Sequence, residues 1–468
     1  MTFLESRRIR RVVEIALGAF ALGLCWIAVS WAFRPGLSMI LDELSNLTRF
    51  LTGPYSAAVH FWPDAFYSDR PVGFAFIRLL YDLFGFDYGR QVTCQLAIHF
   101  ANCSLAYALF RRLGAGAPLC LAAIGLYGSL STTALTATYI GEAFDVICLF
   151  LMLSSALAAL PERRGANVAS ALLFLAALRT KELAIVTPAL LTILLATFSP
   201  KQIWRRLWMH YAILAVFGLR YLGLASAYFT SNMPDNPYHM SFRASTVLDS
   251  LAYYTGLILG LRWPLPSWIL AALLAGILVW AAVRRRTGIL FGITAYILTA
   301  FSVFLMPNLR IPYWMYVPQL FLILAVALLL ERLIAVCLRE ERWRWAAAVC
   351  LALVCLSAAT RFRRSPVLWH ISVRRACWRT ATDAARELPS LAAGAHIYVN
   401  SGTETAWLFR PGPCDYFKLV NKQRDIACVL GKPRSELRAL YDAGRGPGYF
   451  VDYRADGSIT LAARNAAY

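Results

Sequence analysis

Two adjacent carboxylates, Asp42 and Glu43, follow the first long apolar run of the chain in the stretch Leu41-Asp42-Glu43-Leu44-Ser45-Asn46. Beside a membrane such a pair is unusual, because ionisable groups are kept there for chemistry or for a pathway. Either acid could take a proton from an attacking hydroxyl as general base. The cations Arg70, Lys181 and Arg310 stand farther along, in short polar stretches that also hold Asp69, Asp145, Glu182 and Tyr313. Arg grips phosphate oxygens through two parallel N–H donors, while Lys offers a point charge. Together these types fit attack by an acceptor hydroxyl on an activated, lipid-linked sugar phosphate, with the cations steadying the charge that develops on the leaving phosphate. The pair cannot be ranked, since one step along a helix turns a side chain by roughly 100°.

The elements that must hold these residues are membrane helices. Of 468 residues, 59% are hydrophobic and 15% charged, with a mean hydropathy of +0.55. That balance excludes an ordinary water-soluble chain and predicts a polytopic membrane protein. A span needs roughly 17 to 25 apolar residues, and about eleven candidates emerge. They lie at 12–33, 92–110, 118–137, 143–160, 168–178, 183–198, 207–229, 269–283, 289–306, 314–330 and 345–359. The first run follows Arg7-Arg8-Ile9-Arg10-Arg11 and lacks a small-residue cleavage pattern, so it reads as a retained helix. Segments 168–178 and 183–198 are joined by Arg179-Thr180-Lys181-Glu182 and can equally be one broken helix, while 248–261 suits an interfacial or re-entrant helix.

The formal charge of +20 does not form one patch with interleaved aromatics. Arg111-Arg112, Arg163-Arg164, Lys201 with Arg205-Arg206, and Arg284-Arg285-Arg286 punctuate the apolar runs instead. That is the pattern of positive-inside loops, and it argues against nucleic acid as a partner. The 11 cysteines show no CxxC pair or Cys/His metal spacing, so no metal ligands are assigned and a divalent-metal requirement is left open. With a cytoplasmic N-terminus and an odd number of spans, the C-terminus falls outside, in the periplasm of a bacterial inner membrane. The outer face then collects a first loop at about 34–91, the turn Tyr139-Ile140-Gly141-Glu142-Ala143-Phe144-Asp145, the Arg179-to-Glu182 turn, and Pro307-Asn308-Leu309-Arg310-Ile311-Pro312-Tyr313.

Residues 1–360 are thus read as a transmembrane catalytic domain. The tail, 361–468, turns mixed and charged, with a helix expected at 381–388 and a strand at His396–Asn400. It predicts a small extracytoplasmic α/β domain with a core of its own. Cys414 and Cys428 would there be able to form a disulfide or to stay as two free thiols.

The chain resembles the GT-C superfamily of membrane glycosyltransferases, especially its O-mannosyltransferase-like members and their bacterial relatives. Leu41-Asp42-Glu43 is similar to the acidic pair of that family's first outer loop, and Ser68-Asp69-Arg70-Pro71 to the Arg-Pro before its second helix. Tyr139-Ile140-Gly141 with Asp145 resembles its turn before the fourth helix, Thr180-Lys181-Glu182 with Pro188 its Lys-Glu turn, and Arg310 with Tyr313, Tyr316 and Pro318 a later Arg/Tyr/Pro motif. The resemblance implies a polyprenyl-phosphate sugar as donor, Asp42 or Glu43 as base, and Arg70, Lys181 and Arg310 as phosphate ligands. The partners implied are that carrier, the bilayer, and a protein, lipid or glycan acceptor. Glu142 departs from the family pattern, as does the turn near Pro264, and the family's C-terminal repeats are absent.

Other readings of the same residues stand beside this one. Lys181 and Glu182 would also suit an ion pair inside a broken helix, because buried charges are paired whatever the function. Arg310 would suit an interfacial anchor. A transporter or flippase for a lipid-linked glycan, or a membrane scaffold displaying its tail, are the competing functions.

Overall fold

A computed structural model gives the fold, and it describes residues 7–32, 47, 70–230, 233–236, 238–259, 266–337, 391–392, 394–400, 417–418, 425–429, 432–453 and 459–464. The helices in chain order are α1 (Arg7–Ala32), α2 (Pro71–Phe84), α3 (Tyr88–Arg112), α4 (Ala117–Ser129), α5 (Ser131–Thr138), α6 (Ala143–Ala159), α7 (Arg164–Leu178), α8 (Thr187–Phe198), α9 (Ile203–Thr230), α10 (Ala244–Leu259), α11 (Ser267–Val283), α12 (Thr287–Phe304), α13 (Tyr316–Cys337) and α14 (Arg434–Ala443). The chain falls into two compact units, one of Met1–Ala32 with Gln95–Ser365 and one of Phe33–Cys94 with Pro366–Tyr468. The expected boundary at 360/361, the helix at 381–388 and the span at 345–359 lie outside the described residues.

The first unit is a helical bundle with apolar side chains on both its inner and outer surfaces. Ile15, Leu219, Leu273, Val279 and Val283 are more than half exposed, and α11 buries only Leu270, Leu274 and Ala281. Such a surface belongs against lipid rather than water. The chain is an integral membrane protein. Among the described residues, Tyr88–Arg112, Ile140–Ala159, Thr287–Phe304 and Pro312–Leu333 are long and apolar enough to cross a membrane, and the bent pair α4–α5 makes a fifth if counted as one span. The expected count of about eleven also includes helices that are apolar but short, α7, Glu182–Phe198 and α11 among them.

Without a hydrophobic force between helices in lipid, close packing must bring them together, and small residues permit it. A Cβ on Gly292 of α12 would lie 2.9 Å from Cβ of Ala325 and 3.0 Å from the backbone oxygen of Phe321 on α13. A Cβ on Gly125 of α4 would likewise meet Ala21 of α1 at 3.1 Å.

Two expectations change. The apolar stretch 118–137 is not one helix but α4 and α5, bent by 63° at Leu130, whose φ of −64° and ψ of 139° are extended. At the break the Leu130 amide still reaches the carbonyl of Leu126 at 3.1 Å, and Ser129 Oγ donates to that same carbonyl at 3.1 Å, a side-chain bond of the kind that bends helices, while Thr132 Oγ1 donates to Gln319 Oε1 at 2.8 Å and ties α5 to α13. Arg206, read from sequence as part of a basic loop, is buried. Its Nη2 donates to the carbonyls of Ala159, Leu160 (2.9 Å) and Pro161 (2.8 Å), closing the C-terminal end of α6.

The second unit contains α2 and a four-stranded sheet of β1 (His396–Asn400), β2 (Ala427–Val429), β3 (Gly448–Tyr453) and β4 (Ile459–Arg464) in the order β2-β1-β3-β4. The first three strands are parallel and β4 is antiparallel to β3. Leu437 and Tyr441 on α14 recur at i and i+4, and they pack with Tyr398 and Phe450 as the core of this sheet. The tail is therefore α/β, and Cys428 at its β2 strand is disulfide-bonded. Cys414 lies outside the described residues.

Candidate active site

The site begins where α7 stops. The Lys181 amide donates to the carbonyl of Ala177 at 2.9 Å, and Thr180 Oγ1 donates to that of Ala176 at 2.8 Å, so the last turn closes on itself. Lys181 is then extended (φ −156°, ψ 138°), and the chain resumes as a 3-10 turn, Glu182–Val186, before Pro188 opens α8. Of the two arrangements open from sequence, the structure shows two helices separated by an extended residue. Extension swings the Lys181 side chain across to α6, where Nζ meets Asp145 Oδ2 at 2.5 Å.

Asp145 is fully buried, in the first turn of α6 after the 3-10 turn Ile140–Glu142. The partial positive charge of a helix N-terminus favours a carboxylate at that place. The Lys181 side chain is 14% exposed, so the ammonium sits at the edge of the buried region with Asp145 beneath it. Glu182, adjacent in sequence, is exposed. The ion pair that the sequence suggested at this turn thus runs from Lys181 to Asp145.

Beside this pair the turns around Tyr139 and Tyr313 are stitched together. Gln95 Nε2 donates to the carbonyls of Thr136 (2.8 Å) and Tyr139 (3.0 Å), and Thr136 Oγ1 donates to that of Tyr313 (3.1 Å). The rings of Tyr139 and Tyr313 meet edge to face at 6.1 Å. Arg310, on the same turn as Tyr313, is exposed and lies over the ring of Tyr253 with its guanidinium carbon 4.9 Å from the centroid. That contact suits an aromatic anchor as well as a ligand.

Arg70 belongs to the second unit. It is half-buried, precedes Pro71 at the start of α2, and its carbonyl accepts from the Phe74 amide at 3.0 Å. Asp42, Glu43 and Asp69 lie outside the described residues. The structure thus brings Asp145 to Lys181 and Tyr313 to Tyr139, and holds Arg310 on Tyr253.

Beneath these turns runs a buried polar seam that the sequence reading passed over. His99 Nδ1 and Asn102 Nδ2 of α3 lie 2.8 and 3.2 Å from the hydroxyl of Tyr316 on α13, and Asn102 Nδ2 also donates to the carbonyl of Val146, next to Asp145, at 2.8 Å. The Tyr127 hydroxyl donates to the Tyr316 carbonyl at 3.2 Å. Among the described residues Asp145 Oδ1, Gln95 Oε1 and Asn102 Oδ1 are buried without a hydrogen-bond donor. A signal for this seam was available: Gln91, Gln95, His99 and Asn102 recur at spacings of four, four and three along one face of an otherwise apolar helix. No group of three or more His, Cys, Asp or Glu side chains that could hold a metal occurs among the described residues.

No family model matches the sequence, and no curated protein does. Among the solved structures that match is one that aligns along nearly the whole chain. It is that of ArnT from Cupriavidus metallidurans in the apo state, over 96% of this chain and 94% of that one, at 16% identity and a TM-score of 0.46.

Proposed function

We propose that the protein is a GT-C-type membrane glycosyltransferase that moves a sugar from a polyprenyl-phosphate carrier to an acceptor hydroxyl on the outer face of the membrane. The observation that carries this reading is the Lys181–Asp145 pair: an ammonium held at the edge of a membrane bundle by a carboxylate with no exposed surface. The stretches around Lys181, Tyr139, Asp145 and Tyr313 are also those in which the sequence resembles the GT-C family.

In this reading the acceptor O–H gives its proton to Asp42 or Glu43, and its oxygen forms the new bond to the anomeric carbon. The bond from that carbon to the phosphate oxygen breaks, and the polyprenyl phosphate leaves with the electron pair. Lys181 receives the leaving phosphate, with Arg70 and Arg310 as further ligands for its oxygens. Asp145 positions Lys181, and Tyr139 and Tyr313 fix the turns on either side. The disulfide at Cys428 fits a tail in an oxidising, periplasmic compartment, with the N-terminus in the cytoplasm.

The test is transfer of radiolabelled sugar from short-chain polyprenyl-phosphate donors by purified wild type beside Asp42→Asn and Glu43→Gln, with thermal unfolding of each. One of the two variants is expected to stay folded and lose transfer by about a hundredfold or more, as removal of a general base does. Transfer at the wild-type rate by both variants would show that neither acid is the base.

A further inference from the structure

At the ends of α6 and α7 opposite to Asp145 and Lys181 the bundle gathers a second group of cations, and the transfer chemistry uses none of them. α6 runs away from Asp145 to Ala159 and α7 returns from Arg164 to Leu178, so Arg163 and Arg164 lie about 20 Å along the bundle from Lys181 at 1.5 Å per residue. Specific bonds draw the start of α9 to the same corner. Ser199 Oγ, just before the 3-10 turn Pro200–Gln202, donates to Glu162 Oε1 at 2.8 Å, and Nη2 of the buried Arg206 donates to the carbonyls of Ala159, Leu160 and Pro161. Lys201 and Arg205 are thereby brought to the same end of the bundle as Arg163 and Arg164.

The corner is short of negative charge. From residue 146 to residue 234 the acids are Glu162 and Glu182, and Glu182 stands at the far end of α7. Glu162 is already engaged by Ser199 and by Arg206, whose Nη1 lies 3.9 Å from its Oε1. The side chains of Arg163, Arg164, Lys201 and Arg205 are exposed, and among the described residues they have no hydrogen bond or ion pair. Beneath them Arg206, 2% exposed, keeps Nε and Nη1 without a hydrogen-bond acceptor. The N-terminus of α7 has neither a side-chain cap nor an acid in its first turn, so its first amides and its dipole also favour an anion.

The surface around these cations is apolar. Trp204 and Trp208, at i and i+4 on one face of α9, are 71% and 58% exposed, and the Trp204 ring lies 5.6 Å from that of Tyr211. Val168 and Leu172 on α7 are exposed as well. Tryptophan beside Arg and Lys marks the depth of the lipid headgroups. A free anion would use the cations alone, whereas a phospholipid brings phosphate oxygens to the cations and acyl chains to the rings. A zwitterionic headgroup would turn its own cation toward the arginines, and an anionic one does not. We propose that this corner binds an anionic phospholipid of the surrounding membrane, its phosphodiester oxygens accepting from Arg164 and Arg205. The leaflet is the cytoplasmic one when the N-terminus is cytoplasmic. The binding does not rest on the glycosyltransferase reading.

The experiment titrates the delipidated full chain in detergent with phosphatidylglycerol or phosphatidylcholine and counts bound lipid by native mass spectrometry. Phosphatidylglycerol is expected to bind about tenfold or more tightly than phosphatidylcholine, and Arg164→Gln with Arg205→Gln to weaken it by about tenfold or more. Arg284→Gln with Arg285→Gln removes the same charge from another exposed basic turn and is expected to change the affinity less than about twofold. Thermal unfolding in phosphatidylcholine nanodiscs checks that each variant is folded. Should the first pair lower the unfolding temperature, Arg163→Gln with Lys201→Gln takes its place. Equal affinity for the two lipids overturns the proposal. So do equal losses in the 164/205 and 284/285 variants, which would trace the binding to the overall charge of the basic loops. Displacement of phosphatidylglycerol by millimolar inorganic phosphate would assign the corner to a free anion and overturn it as well.

Discussion

Lys181 and Asp145 can be pulled apart experimentally, because their structural and functional roles predict different patterns. Lys181→Met leaves the carboxylate of Asp145, which has no exposed surface, without its cation. Breaking a buried pair from one side costs about 3–5 kcal/mol, so this variant is expected to show a lowered unfolding temperature in detergent. The double variant Asp145→Asn with Lys181→Met removes both charges, and its stability should return most of the way to wild type. Transfer should stay lost in both, since the ammonium is missing from each. Recovery of transfer along with stability would mean that Lys181 is only structural. At this scale Lys181, Asp145 and Tyr313 were legible in sequence as polar residues stranded between apolar runs. The partnership of Lys181 with Asp145 rather than Glu182 was not, because it depends on a side chain that an extended residue turns toward another helix.

The elements show where one-dimensional reading stops. Apolar runs located most of the helices, since a bundle in lipid must satisfy its backbone within each segment. They could not locate the 63° bend at Leu130, where Ser129 Oγ shares the carbonyl of Leu126 with the Leu130 amide and Thr132 bonds Gln319 on α13. Nor did hydropathy reveal the seam of α3, because averaging over a window hides four polar residues on one face. Asn102 of that seam bonds both α6 and α13. Asn102→Leu should therefore cost about 1–3 kcal/mol through the groups it leaves unpaired, measured by thermal unfolding. Arg206 offers a matched comparison with its neighbour. Arg206→Met uncovers the carbonyls at the end of α6 and is expected to destabilise by a similar amount, about 1–3 kcal/mol, whereas Arg205→Met on the exposed side should change the unfolding temperature little.

For the molecule as a whole, composition alone set a lipid-facing bundle apart from a mixed, charged tail, and the structure has both a helical unit and a mixed four-stranded sheet with its own core. The strand order of that sheet was hidden, because nothing local in His396–Asn400 says which strand it will lie beside. The proposed periplasmic placement of the tail requires the disulfide at Cys428 to persist in the cell. Protein isolated from the native membrane without reductant should accordingly yield a Cys428 peptide in disulfide linkage, detected by mass spectrometry before and after reduction. Complete alkylation of Cys428 under those conditions would place the tail in a reducing compartment.

The lipid-facing helix α11 sets one more condition on the protein's surroundings. Its 17 residues rise about 26 Å at 1.5 Å per residue, short of the roughly 30 Å hydrocarbon thickness of an average bilayer. Tilting would only shorten that span further, and Trp268 at its entry and Arg284 just past its end mark the interface on either side. The bilayer must thin around it. Acyl-chain length thus becomes a variable of this protein's stability: nanodiscs of 14-carbon lipids should give a higher unfolding temperature than nanodiscs of 20-carbon lipids.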